Sequence, residues 1–118
     1  MIRPVRIYDI GNQDQTFTIL VDRLWPRGIS KDRVKVDLWM KEVAPSSKLR
    51  KWFGHDPAKW DGFKLKYRQE IMQGDKVQLL SQIKRLEKEK GSISLLYSAK
   101  DKEHNNAVVL AEMLEEFG

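Results

Sequence analysis

Cysteine is absent from the 118 residues. That excludes disulfides, thiolate nucleophiles and cysteine-ligated zinc together, and it suits a reducing cytoplasm. Histidine occurs only at His55 and His104, with no His-Glu-x-x-His spacing and no clustered carboxylates around either, so no catalytic metal is expected. The glycines never form a Walker loop or a dinucleotide fingerprint, and no cofactor is expected on that account. No apolar run approaches the roughly 18 residues of a membrane helix, and Met1-Ile2-Arg3-Pro4 lacks the apolar stretch of a signal peptide. A membrane partner is therefore not expected.

Charge is what the chain does have. Charged residues make up 33% of it and the net charge is +5, with a pI of about 9.5, which rules out neither nucleic acid nor acidic metabolites as partners. A lysine-rich solvated surface accounts for such a balance equally well. The arginines are less evenly spread: Arg3, Arg6, Arg23 and Arg27 crowd into the first quarter. The length fits one domain over 1–118, with a core of its own.

Hydrophobic periodicity predicts an α/β order. Val5 to Tyr8 alternates and ends in a turn at Asp9-Ile10-Gly11-Asn12; Phe17 to Leu24 reads as a second strand, buried on both faces. Ser30 to Arg33 reads as a serine-capped turn, and Val34 to Val43 as extended chain. Ser46 or Ser47 caps a short helix bearing Leu49, Trp52 and Phe53. Asp56-Pro57 opens the next, whose stripe is Trp60, Phe63, Tyr67 and Ile71. Asp75 is expected to cap a third helix with Leu79, Leu80, Ile83 and Leu86 inward, ended by Gly91. Ser92 to Ser98 is a strand, and a last helix starting near Asp101 turns Ala107, Leu110, Ala111 and Leu114 inward. The fold predicted is a small three-layer α/β sandwich, mainly parallel and flanked by helices.

In such sheets ligands gather outside the carboxyl ends of the strands. Three expected strand ends carry polar residues: Tyr8-Asp9, Asp22 to Gly28, and Ser98 to Asp101 with His104-Asn105-Asn106 in the first turn of the last helix. Arg23 and Arg27 suit phosphate or carboxylate, and the N–H groups of that turn favour an anion. Each residue also has a structural reading. Asp22 and Arg23 fall on opposite faces of a strand, where either can pair with a neighbour; Trp25-Pro26 is a rigid strand exit or a stacking platform. Lys100 and Asp101 read as a loop lysine and a cap, or as ligand contacts. His104 is a proton-exchange candidate, because a helix N-terminus favours the neutral imidazole. Ser98 lacks a nucleophile-elbow context. The aromatics at Trp52, Phe53, Trp60, Phe63 and Tyr67 have the spacing of core rather than of a base-stacking surface.

Taken together, Val21-Asp22-Arg23-Leu24-Trp25-Pro26-Arg27-Gly28, Ala44-Pro45-Ser46, Leu49 to Pro57 and Leu95 to Asp101 with His104-Asn105 resemble the bacterial YeaO-like family, a domain of unknown function. The resemblance runs from about Arg6 to Leu114. It implies motif positions at Asp22, Arg23, Trp25, Arg27, His55, Asp56, Lys100, Asp101, His104 and Asn105. A more distant branch of that family places cysteines around the last strand and helix; this chain has none, so a thiol mechanism does not carry over.

The expectation is a cytoplasmic protein that binds a small phosphate- or nucleotide-like anion. Arg23, Trp25, Arg27, Lys100, Asp101 and Asn105 would contact it, and Asp22 and His104 would exchange a proton in hydrolase-like chemistry. The alternative is a nucleic-acid-binding or regulatory module using the basic surface. Arginines sealed against carboxylates would instead mark a scaffold.

Overall fold

Two strongly apolar segments form the centre of the sheet in a computed structural model that describes residues 1–11 and 14–117. They are β2 (Phe17–Leu20) and β4 (Ile93–Tyr97), parallel and in register from Phe17 opposite Ile93 to Leu20 opposite Leu96. All of β4 is buried, as is Thr18 to Val21, which is why both read as near-continuous apolar runs rather than alternating ones. β1 (Ile2–Arg6) pairs with the other side of β4, and β3 (Leu38–Trp39) with β2, giving the all-parallel order β1-β4-β2-β3. Pro4 lies in the middle of β1, on an edge strand where its missing N–H is tolerated. Buried Thr18 and Ser94 are satisfied: Thr18 Oγ1 donates to the Lys35 carbonyl at 2.8 Å, and Ser94 Oγ shares a 2.6 Å hydrogen bond with Thr16 Oγ1.

Four helices follow the expected stripes: α1 (Ser47–Phe53), α2 (Trp60–Met72), α3 (Val77–Lys90) and α4 (Asn106–Glu116). All four contribute buried side chains to one cluster on one face of the sheet, among them Phe53, Phe63, Tyr67, Ile71, Leu80, Ile83 and Leu110. The opposite face is covered by irregular chain, with Trp25, Ile29, Val34 and Val36, beside Trp39 of β3, packed on Ile7, Leu20 and Leu96. The fold is thus a small α/β one whose third layer is loop. Among the described residues no helix is long and apolar enough to cross a membrane.

Caps mark the start of α1 and of the 3₁₀ turn Pro57–Lys59 that runs into α2. Ser46 Oγ accepts the Leu49 N–H at 3.1 Å, and Asp56 Oδ1 the Ala58 N–H at 3.0 Å. Gly91, at φ 90°, ends α3 as expected. Four expectations need correcting. The first strand is Ile2–Arg6 rather than Val5 to Tyr8, and Ile7–Asp9 forms a 3₁₀ turn. Asp75 is not a cap: it sits in a short 3₁₀ turn, Gly74–Lys76, that runs into α3 without a side-chain cap. The second strand stops at Leu20, not Leu24, because the β3 partner is two residues long and leaves the following chain free to bend. The last helix begins at Asn106, five residues beyond Asp101, because Asp101 and Asn105 bind the intervening N–H and carbonyl groups in a turn. Asn12, at the end of the expected first turn, lies outside the described residues, as does Gly118, the last residue of the expected domain.

Candidate functional site: a basic cleft

The chain leaving β2 turns toward β3, whereas the chain leaving β4 leads to α4, which packs over β1 and β4. Diverging exits from neighbouring parallel strands open a crevice at their carboxyl ends. Here it is a cleft of about 840 Å³.

Asp22 forms its floor. One oxygen, Oδ2, accepts the Ser98 backbone N–H at 2.9 Å and the Ser98 hydroxyl at 2.8 Å; the other, Oδ1, accepts from Asn106 Nδ2 at 3.3 Å. The same Asn106 amide donates to the Val21 carbonyl at 2.9 Å, and Trp39 Nε1 to the Asp22 carbonyl at 2.8 Å. Burial raises the Asp22 carboxyl above the ordinary aspartate value; the Ser98 and Asn106 hydrogen bonds and the charge of Arg50 oppose that rise. Ser98 Oγ is therefore committed to Asp22 and forms no relay with His104.

Because the chain bends at 22–24, Asp22 and Arg23 do not diverge to opposite faces as strand neighbours would. Both line the cleft. Among the described residues, Arg23 makes one long contact, Nη2 to the Pro45 carbonyl at 3.4 Å, and its Nε is buried without a partner. Trp25 has a supporting part: its Nε1 donates to the Ile29 carbonyl at 2.7 Å, and its ring meets Trp39 edge to face at 5.5 Å. With the indole fixed this way, the rigid-exit reading describes it better than a stacking platform. Gly28, at φ 75°, supplies the turn that returns the chain to Ile29. Tyr8 Oη donates to the Arg27 carbonyl at 2.7 Å, leaving the Arg27 guanidinium exposed.

The opposite wall is the turn after β4. Asp101 Oδ1 accepts the N–H groups of Glu103, at 2.9 Å, and His104, at 3.0 Å, while His104 Nδ1 donates to Asp101 Oδ2 at 2.8 Å. The Glu103 N–H first, and then the His104 ring, hold the Asp101 carboxyl below its ordinary value. Asn105 is the cap of α4: its Oδ1 accepts the Val108 N–H at 3.0 Å and its Nδ2 donates to the Asp101 carbonyl at 3.0 Å. Asp101 and Asn105 are thus engaged in building the turn. His104 stands ahead of the helix rather than in its first turn, with its ring edge to face on Trp60 at 5.1 Å. Lys100 is exposed beside them.

All eight predicted site residues line this one cleft: Asp22, Arg23, Trp25, Arg27, Lys100, Asp101, His104 and Asn105. Arg50 and Lys51 of α1 line it too, and neither was predicted. The signal available was two cations in the last turn of a short capped helix, which reads equally as dipole compensation. Ala44, Pro45, Phe53 and Phe63 give the cleft an apolar side, and His55 sits at its mouth with a left-handed φ of 56°. Among the described residues, Arg23, Arg27, Arg50, Lys51 and Lys100 form no ion pair, and Asp22 and Asp101 are the only carboxylates lining the cleft.

These features define a small parallel α/β protein with a cation-rich cleft at its strand ends. A family model described as "Inactive DUF488-N3 subclade" matches residues 1–117, and the chain belongs to that family. It is 41% identical over 110 residues to the uncharacterized protein YeaO of Escherichia coli K12, covering 92% of each chain. It is 43% identical over 70 residues, 59% of each chain, to the uncharacterized proteins Mb3100c of Mycobacterium bovis and Rv3073c of Mycobacterium tuberculosis. No solved structure matches it.

Proposed function

We propose that the cleft binds a small anionic molecule of the phosphate or nucleotide class. One observation carries this reading: five cationic side chains face a common space, and none has a carboxylate partner among the described residues. A buried ion-pair scaffold would have sealed Arg23 and Arg27 against acidic groups. Five cations against the two carboxylates Asp22 and Asp101 leave the cleft with an excess of positive charge, which an anion offsets. The reading is binding rather than turnover, because the Ser98 hydroxyl donates to Asp22 and is not activated by His104. The family description's word "inactive" agrees with that choice. The absence of cysteine supports a cytoplasmic site of action.

The nucleic-acid alternative draws on the same cations. It is weaker because they line a concavity rather than a stripe along an exposed groove-reading helix. Thermal melting against inorganic phosphate, pyrophosphate and nucleotides tests the proposal. The wild-type transition should rise with ligand concentration, and the Arg23→Ala plus Arg27→Ala double variant should lose most of that rise. A flat wild-type response, or equal shifts in both proteins, rules the proposal out.

A further inference from the structure

The bend at the end of β2 leaves two complementary capacities unmet side by side. Of the five N–H donors of the Arg23 guanidinium, one makes a single contact at 3.4 Å and the buried Nε makes none. The adjacent Asp22 carboxylate has about four lone-pair sites. Ser98 occupies two and Asn106 one, at the long distance of 3.3 Å, so Oδ1 can still accept a hydrogen bond from inside the cleft. Asp22 and Arg23 line the same cleft, so a guest held by Arg23 brings the groups beside its anionic end before Asp22. Asp22 favours an anion that also carries a hydrogen-bond donor over a plain one.

Resting on the anion-binding reading above, we infer that the ligand is a phosphorylated sugar, with its phosphate on Arg23 and a sugar hydroxyl donating to Asp22. Phosphate rather than carboxylate follows from the cation count, since a phosphomonoester carries about −1.5 to −2 at neutral pH and five cations line the cleft. The volume of about 840 Å³ falls in the range of small-molecule sites, about 300–1,000 Å³, and leaves room for more than the sugar phosphate alone. The apolar side at Ala44, Pro45, Phe53 and Phe63 is where the base of a nucleotide would lie. A free sugar phosphate and a nucleotide share the recognised chemistry, and the test separates them.

Calorimetric titration of the full chain would compare methyl phosphate, ribose 5-phosphate and adenosine 5′-monophosphate in wild type and Asp22→Asn. Ribose 5-phosphate should bind wild type about tenfold more tightly than methyl phosphate, the order expected of a hydrogen bond to a charged acceptor. Asp22→Asn should abolish that advantage, bringing the two affinities in the variant to within about twofold of each other. Tighter binding of adenosine 5′-monophosphate identifies the source as a nucleotide; binding weaker than or equal to that of ribose 5-phosphate identifies it as a free sugar phosphate. Equal affinity of wild type for methyl phosphate and ribose 5-phosphate overturns the sugar assignment and leaves the anion site standing, whether or not the variant folds. Equal weakening of both ligands by Asp22→Asn also overturns it. Binding of none of the three overturns both.

Discussion

The Asp22 carboxylate holds both the backbone N–H and the side-chain hydroxyl of Ser98 on one oxygen, at 2.9 and 2.8 Å. This joins the ends of the two central strands across 76 residues of sequence, at the point where their ladder has run out.

Burial raises the Asp22 carboxyl, so the folded protein holds that proton more tightly than the unfolded chain does. Such a group stabilises below its unfolded value, and the contribution is lost as pH rises through its folded value. The stability of wild type relative to Asp22→Asn should therefore fall across that acidic window and level off above it. Urea unfolding of both proteins from pH 3 to 7 checks the sign; a difference that grows with pH contradicts it.

Asn105 is the cap of α4 through Oδ1, and its amide nitrogen also holds the Asp101 carbonyl. Asn105→Ala should cost about 1 kcal/mol or more in urea unfolding, the usual worth of a lost N-cap. Asn105→Asp, which keeps the capping oxygen, should recover part of the loss. Equal losses in the two variants would show that capping is not what this residue contributes.

Glu70 of α2 holds the start of α1: Oε1 accepts the Ser46 N–H at 2.9 Å and Oε2 the Ser46 hydroxyl at 2.6 Å. Glu70→Ala should destabilise by about 1–3 kcal/mol and loosen the helix that carries Arg50 and Lys51. Hydrogen exchange should show α1 amides losing protection more than those of β4. Uniform loss would mean that α1 does not open as a separate unit.

Gly62 leaves room for Trp52: a Cβ there would stand 2.8 Å from the indole Cη2. Alanine ordinarily gains up to about 1 kcal/mol over glycine inside a helix. Gly62→Ala should show that gain only in a Trp52→Ala background and lose it in wild type. Additivity in the double-mutant cycle would exclude the contact as the reason for the glycine.

Where burial and local chemistry agree, the sequence was readable. Phe63, Tyr67 and Ile71 are buried at the spacing that predicted them, β4 lies within its expected apolar run, and Asp56-Pro57 marks its turn. That these residues share one cleft was readable because polar residues directly after buried strands have few places to go except the sheet's carboxyl edge. Legibility failed where a distant partner decides the outcome. Val21 is as apolar as a strand residue and fully buried, yet the short β3 lets the chain turn just beyond it. Asp75 has the residue type of a cap, but the chain reaches α3 through a 3₁₀ turn that leaves it nothing to cap. Arg50 and Lys51 reach the cleft on a helix whose start is held by Glu70, 24 residues after Ser46, a partner the local sequence does not announce.

The position of Pro4 bears on how molecules of this protein meet. The Met1 carbonyl accepts the Ile93 N–H at 2.8 Å, so odd-numbered residues of β1 turn their peptide groups inward and Pro4 turns its ring nitrogen outward. The open border of the sheet thus lacks a donor at its midpoint. A foreign strand laid along it would find a gap in the rungs, which discourages one copy from templating the next.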